Sequence, residues 1–169
     1  MQVSLPQSGR NLTIDSVVNT FESAILSNKG HVKVLSVSHV FTTNGLRMPI
    51  KELSTMAHNH NVTVVVDRAQ AAGGINVNLT DLGCDVYSVS CHKWMLAPKG
   101  NGLLFVGKHA QPLIKATMFD EGFGVYTGAT GTRPSSTILG LNHSMTYFNS
   151  FDGGMPAIEE HNLQLRELG

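Results

Sequence analysis

Val86-Tyr87-Ser88-Val89-Ser90-Cys91-His92-Lys93-Trp94 is an apolar, β-rich run that ends in a lysine flanked by Ser90, His92 and the only tryptophan of the chain. An ammonium group is rarely set at the end of a buried strand, because desolvation disfavours its charged form. A neutral amine is a nucleophile, and its commonest use is a Schiff base with a carbonyl compound. Upstream, Val62-Thr63-Val64-Val65-Val66-Asp67 likewise sets a charged residue after a run expected to be buried. Two parallel strands bring both ends to one edge, where Asp67, Gln70, Ser90, His92 and Lys93 converge. In α/β sheets the carboxyl ends of the strands are where ligands bind.

Working outward, the apolar periodicity predicts an α/β chain. Gln2–Leu5 reads as a short strand and Pro6–Asn11 as a turn-rich connection. Thr13 is placed to cap a helix whose Ile14, Val17, Val18, Phe21 and Ile25 follow the helical period, with Gly30 just past its end. Val32–Val40 reads as a strand and Phe41–Met48 as a loop carrying Asn44-Gly45. Pro49 opens a helix with Ile50, Leu53, Met56 and Ala57 on one face. The crossover from Val40 to Val62 is long enough for a parallel, right-handed connection. So is Arg68–Asp85, in which Gly73-Gly74 breaks the chain and Thr80–Leu82 forms a turn of helix. Only Trp94–Asn101 separates Lys93 from Gly102-Leu103-Leu104-Phe105-Val106, so that strand should run antiparallel to the lysine strand. His109–Gly131 is irregular and glycine-rich. Ser135–Phe151 reads as a helix with Ile138, Leu141, Met145 and Phe148 on one side, and a last helical pattern begins at Ala157. The fold class expected is α/β: one layered domain with a mostly parallel sheet, helices on both faces and one antiparallel strand.

Composition excludes several classes. With 169 residues the chain is long enough for one core, and its 12 basic residues balance 12 acidic ones, which leaves no electrostatic footprint for nucleic acid or an anionic membrane. No apolar run reaches membrane-spanning length and the first residues lack the pattern of a signal peptide, so a cytoplasmic location is expected. Cys84 and Cys91 are too few and too embedded for a disulfide framework, and Cys91 should face away from Ser90 and His92 as a buried thiol. The sequons at Asn11, Asn61, Asn78 and Asn142 then read as chance. Eight histidines invite a metal hypothesis, yet His58 and His60 are two apart and point different ways, and no H-E-x-x-H or C-x-x-C is present. His39, His58 and His60 therefore read as surface or loop residues, and no metal site is assigned. Asp67 after an apolar run also describes a magnesium carboxylate beside a P-loop, but no G-x-x-x-x-G-K-[ST] accompanies it. No G-x-G-x-x-G opens a helix after a strand either.

Taken together, D-x-x-Q from Asp67 to Gln70 and S-x-H-K from Ser90 to Lys93 resemble the cofactor site of class V aminotransferase-like pyridoxal-phosphate enzymes. Cysteine desulfurases and isopenicillin N epimerase-like proteins belong to that group. The resemblance implies the large domain of a fold type I enzyme, with pyridoxal 5'-phosphate as cofactor and an amino acid as substrate. It implies that Lys93 carries the cofactor as an internal aldimine, that Asp67 pairs with the pyridine nitrogen and that Gln70 hydrogen-bonds the ring hydroxyl oxygen. Ser90 and His92 would contact the phosphate. Thr132, in the Gly131-Thr132-Arg133-Pro134 segment, would reach the phosphate of the other subunit in a homodimer, and Arg133 would line that shared site.

Relatives of this kind are longer. They carry an N-terminal portion with a phosphate-binding turn, and a C-terminal small domain with the arginine that commonly binds the substrate carboxylate. The 169 residues then correspond to the central part of a large domain. Two classes of function remain open on the sequence: an amino-acid enzyme of epimerase, C–S lyase or desulfurase, or aminotransferase type, and a noncatalytic remnant or interaction module keeping the fold. For Lys93 the plain alternative is a strand-end lysine snorkelling to water.

Overall fold

A computed structural model describes residues 1–5, 12–28, 30–115 and 134–167. Helix α1 (Ile14–Ser27) starts where Thr13 and Ser16 form a reciprocal cap: Thr13 Oγ1 accepts from the Ser16 N–H at 3.1 Å and Ser16 Oγ from the Thr13 N–H at 3.0 Å. Of its expected stripe, Val17, Phe21 and Ile25 are buried, while Ile14 in the first turn is exposed. Strand β1 is Val34–Ser38, shorter than the run predicted from Val32 to Val40, and Val40 makes only an isolated bridge to Arg47 across the loop. Helix α2 (Ile50–Asn59) follows Pro49 and buries Ile50, Leu53, Met56 and Ala57, the face read from the sequence. Asn61 takes a left-handed conformation (φ 56°) that reverses the chain into β2 (Thr63–Asp67), a role asparagine fills at low cost.

A short helix, α3 (Leu79–Leu82), is capped by Asn78, whose Oδ1 accepts from the Thr80 and Asp81 N–H groups. Strands β3 (Val86–Ser90) and β4 (Gly102–Val106) complete a sheet of order β1-β2-β3-β4. The first two pairings are parallel and the β3–β4 pairing is antiparallel, since the eleven residues 91–101 between them are too few for a parallel crossover. Helices α4 (Ser135–Asn149) and α5 (Gly154–Glu167) follow. The architecture is the expected mixed, mostly parallel sheet with helices around it.

Register fixes which side chains share a face. Leu35 pairs with Val64, Val37 with Val66, and Val66 with Tyr87, and these five form the core with Val17, Phe21, Ile25, Leu53, Met56 and Ala57 of α1 and α2. Burying each such aliphatic side chain is worth about 1.5–3 kcal/mol before chain entropy is counted. The opposite face carries Ser36, Ser38, Asp67, Ser88 and Ser90.

Three expectations need correction. Gln2–Leu5 forms no strand, although Val3 and Leu5 pack against the core. Helix α4 stops at Asn149, with Ile138 and Met145 of its predicted apolar side exposed. Helix α5 starts at Gly154, so that Pro156 falls in its first turn, where a missing N–H is harmless.

Candidate functional site

Strands β2 and β3 end at Asp67 and Ser90, side by side at one edge of the sheet. In the parallel register Asp67 lies opposite Ser88, so the carboxylate and the hydroxyls of Ser88 and Ser90 project from the same face, away from the core. Beyond Asp67 the chain turns at once. Asp67 Oδ1 accepts from the Ala69 N–H at 2.8 Å, and the Arg68 N–H donates to the Ser88 carbonyl at 2.8 Å, which pins this turn to the neighbouring strand.

The turn after β3 is where the structure departs from the picture of a lysine at a buried strand end. β3 stops at Ser90, and Lys93 sits in the turn that carries the chain toward β4, exposed together with His92. The Leu96 N–H donates to the Lys93 carbonyl and the Ala97 N–H to the Cys91 carbonyl, both at 3.0 Å, which closes the turn and directs the two polar side chains outward. Cys91 points the other way, fully buried, its thiol pushed up by burial, as the alternation predicts.

Two contacts interlock the Asp67 and Lys93 turns. The Trp94 indole Nε1–H donates to Gln70 Oε1 at 2.9 Å. Gly73 adopts φ +84°, and a Cβ there would stand 2.3 Å from the Trp94 carbonyl oxygen, so only glycine permits this approach. The indole nitrogen can only donate, which fixes the Gln70 amide with its oxygen toward Trp94 and its two N–H donors free to face outward. On the outer side, Ser144 Oγ of α4 donates to the Met95 carbonyl and Asn101 Nδ2 donates to the Thr137 carbonyl at 2.9 Å, so α4 backs the loop that carries the lysine.

Among the sequence-predicted residues, the structure brings Asp67 and Ser90 to one face, and couples Gln70 to the residue after Lys93. Thr132 and Arg133 lie outside the described residues. A cavity of about 450 Å³ along the free edge of β1 reaches Asp67 and is otherwise lined by α1, β1 and the first residues; it is an opening beside the sheet, distinct from the Lys93 turn.

The sequence reading missed two polar clusters. His39, expected at the surface, is fully buried and shares a 2.7 Å hydrogen bond with the Tyr87 hydroxyl, under the Arg68 guanidinium 5.5 Å from the Tyr87 ring. Burial, with Arg47 and Arg68 nearby, pushes the imidazole down to about 4, and burial pushes the Tyr87 phenol up. His58 and His60 do point different ways, toward Asp85 and Glu22 respectively. His58 nevertheless has company, since His109 meets the other oxygen of Asp85. A carboxylate inside the apolar Leu82–Tyr87 segment was the available signal, because such a group is buried only with partners.

The model of the family described as aminotransferase class-V matches residues 10–169. The chain belongs to the aminotransferase class-V family. Among curated proteins it is 26% identical over 163 residues to a probable chloroplastic L-cysteine desulfhydrase of Arabidopsis thaliana, an alignment covering 89% of this chain and 34% of that protein. It is 39% identical over 82 residues to the isopenicillin N epimerase of Streptomyces clavuligerus, covering 48% of this chain and 21% of that one. In fold it matches the cysteine desulfurase of Thermococcus onnurineus NA1 with a TM-score of 0.64 at 23% identity, over 86% of this chain and 37% of that one. This class-V chain thus spans about a third or less of the length of these curated relatives. No helix among the described residues is long and apolar enough to cross a membrane.

Proposed function

We propose that these residues form the central part of the large domain of a pyridoxal-phosphate enzyme that removes the α-proton of an amino acid, in an epimerase, C–S lyase or desulfurase, or aminotransferase reaction. The observation that carries this reading is the carboxyl edge itself. A carboxylate and a hydroxyl share one face there, and the adjoining turn holding Lys93 is locked to the Asp67–Gln70 turn through Trp94.

The donor set fits the group. Lys93 Nζ would hold the cofactor covalently, and the Asp67 carboxylate would face its ring nitrogen. Gln70, with its oxygen already engaged by Trp94, has N–H donors left for the ring oxygen. Ser90 and His92 suit the phosphate. Thr132 is assigned to the phosphate in the other subunit of a homodimer, and Arg133 to the substrate side of that shared site. When bound, pyridoxal phosphate supplies an electron sink for the carbanion left by loss of the α-proton. The task of Asp67 is to keep a proton on the ring nitrogen. A carboxylate about 4 Å away at an effective dielectric of about 20 contributes roughly 4 kcal/mol, or about three pKa units, before desolvation is subtracted. Glutamine or asparagine at this position lacks the charge. Lys93 Nζ would also be the base for the α-proton, as a neutral amine beside the substrate carbon.

A second reading, a noncatalytic module, is favoured by the exposure of His92 and Lys93 and by the open apolar surface of β4, where Leu103 and Leu104 are 45% and 51% exposed. Surfaces of this kind favour association. An absorption titration separates the two readings. With added pyridoxal phosphate the intact protein should develop a visible band that amino acids displace and that Lys93→Ala abolishes. No band in the intact protein would leave the noncatalytic reading standing.

A further inference from the structure

The second polar cluster lies at the other end of β3. Asp85, just before the strand, has a side chain only 6% exposed. Its Oδ2 accepts from the Val64 N–H at 2.6 Å and meets His58 Nε2 at 2.8 Å, while Oδ1 meets His109 Nε2 at 2.8 Å. His58 belongs to the last turn of α2 and His109 to the turn after β4, so two separate elements deliver imidazoles to one buried carboxylate. The three ligand-type atoms lie within 4.8 Å of one another, and the two rings meet edge to face with centroids 5.8 Å apart.

We propose that His58, Asp85 and His109 bind a first-row divalent cation of the zinc type. Zinc takes imidazole nitrogen at about 2.0–2.1 Å and carboxylate oxygen at about 2.0–2.2 Å. Ligand atoms around such an ion stand roughly 3.4 Å apart by tetrahedral geometry, between the 2.8 Å contacts and the 4.8 Å spread seen here. Two nitrogens and one carboxylate, with no thiolate, match zinc, cobalt or nickel rather than calcium or magnesium, which take oxygen ligands. The Val64 N–H holds the carboxylate from behind, the outer support that orients a ligating oxygen. The histidine side chains are 38% and 58% exposed, which leaves an entry path and room for a water as fourth ligand.

The ion would clamp α2, the entry to β3 and the exit of β4. It would lie at the opposite end of β3 from the Lys93 turn, with the strand's rise of about 17 Å between the two ends. Its role is therefore structural and separate from the chemistry of the carboxyl edge.

The test is calorimetric titration of Zn2+ into the chelator-treated protein, with melting curves in parallel. The account predicts one saturable site, with the melting temperature raised by roughly 5–10 °C at a hundredfold excess over Kd. His58→Gln and His109→Gln, at partly exposed rings that tolerate substitution, should each weaken binding by about tenfold or more and shrink that rise. His143→Gln, on α4, should leave binding within twofold of the parent. No saturable binding, or binding that His58→Gln and His109→Gln leave within twofold, overturns the proposal.

Discussion

Asp85 and Lys93 bracket the same strand and are treated in opposite ways. Asp85 is 4% exposed, and its carboxylate is surrounded by a backbone N–H and two imidazoles. Lys93 stands exposed on a turn held by main-chain hydrogen bonds, beside an exposed His92 and just past the strand end where serines and Asp67 share a face. A charge inside a fold has to be satisfied by the fold. A charge left open at the carboxyl edge of parallel strands is one whose partner comes from outside. On the proposed function, the amino end of β3 belongs to the architecture and the carboxyl end is the one a ligand would complete.

The sharpest break between the ends concerns activity. Asp67→Ala in the intact protein should slow α-proton exchange by about three orders of magnitude, the kinetic equivalent of roughly 4 kcal/mol, with the cofactor still able to attach. Deuterium exchange followed by NMR reads this directly, and an unchanged rate would reduce Asp67 to a surface carboxylate.

Stability should sort the other way. Asp85→Ala strips two imidazoles and the Val64 N–H of their acceptor and is expected to cost about 3 kcal/mol, whereas Lys93→Ala should stay within about 0.5 kcal/mol. Chemical denaturation of both variants compares them, and a Lys93→Ala loss as large as that of Asp85→Ala would erase the distinction.

Acid sensitivity comes next. His39 is held down to about 4 from 6.5, so above pH 6.5 it is neutral folded or unfolded and contributes no pH dependence. As pH falls below 6.5 the unfolded chain takes up a proton that the folded one refuses, which costs about 2 kcal/mol by pH 5 and levels off only below about pH 4. Asp85, whose depressed pKa stabilises the fold above the ordinary carboxylate range, adds a further loss only at lower pH. His39→Gln should flatten the stability profile between pH 6.5 and 4. A profile as steep as the parent's would show that His39 is not the sensor.

The smallest effect is expected at the interlock. Trp94→Phe removes the donor to Gln70 Oε1 and should cost about 1 kcal/mol of stability. It also frees the Gln70 amide to rotate, so cofactor affinity should fall by more than stability alone explains.

Much of this layout is legible in the residues. The helix faces of Val17, Phe21 and Ile25 and of Ile50, Leu53 and Met56 follow from period alone, and the direction of β4 from the short connection available to reach it. Loop length and apolar spacing are local properties, so a single sequence carries them. Asp67, Gln70, Ser90, His92 and Lys93 stand out because polar groups follow directly on apolar strands. The exposure of Lys93 was not legible, because where β3 stops depends on the Cys91–Ala97 and Lys93–Leu96 turn bonds. The burial of His39 and the meeting of His58, Asp85 and His109 depend on contacts between residues 24 to 48 positions apart, which no local pattern encodes.

The central claim is that the carboxyl end of β3 holds the cofactor through one lysine. Borohydride reduction of the pyridoxal-phosphate-loaded protein, followed by peptide mapping, tests it most directly. The account predicts one pyridoxyl group, on Lys93, and its disappearance in Lys93→Ala. Label spread over surface lysines such as Lys51, Lys99 and Lys108, unchanged in that variant, would contradict it.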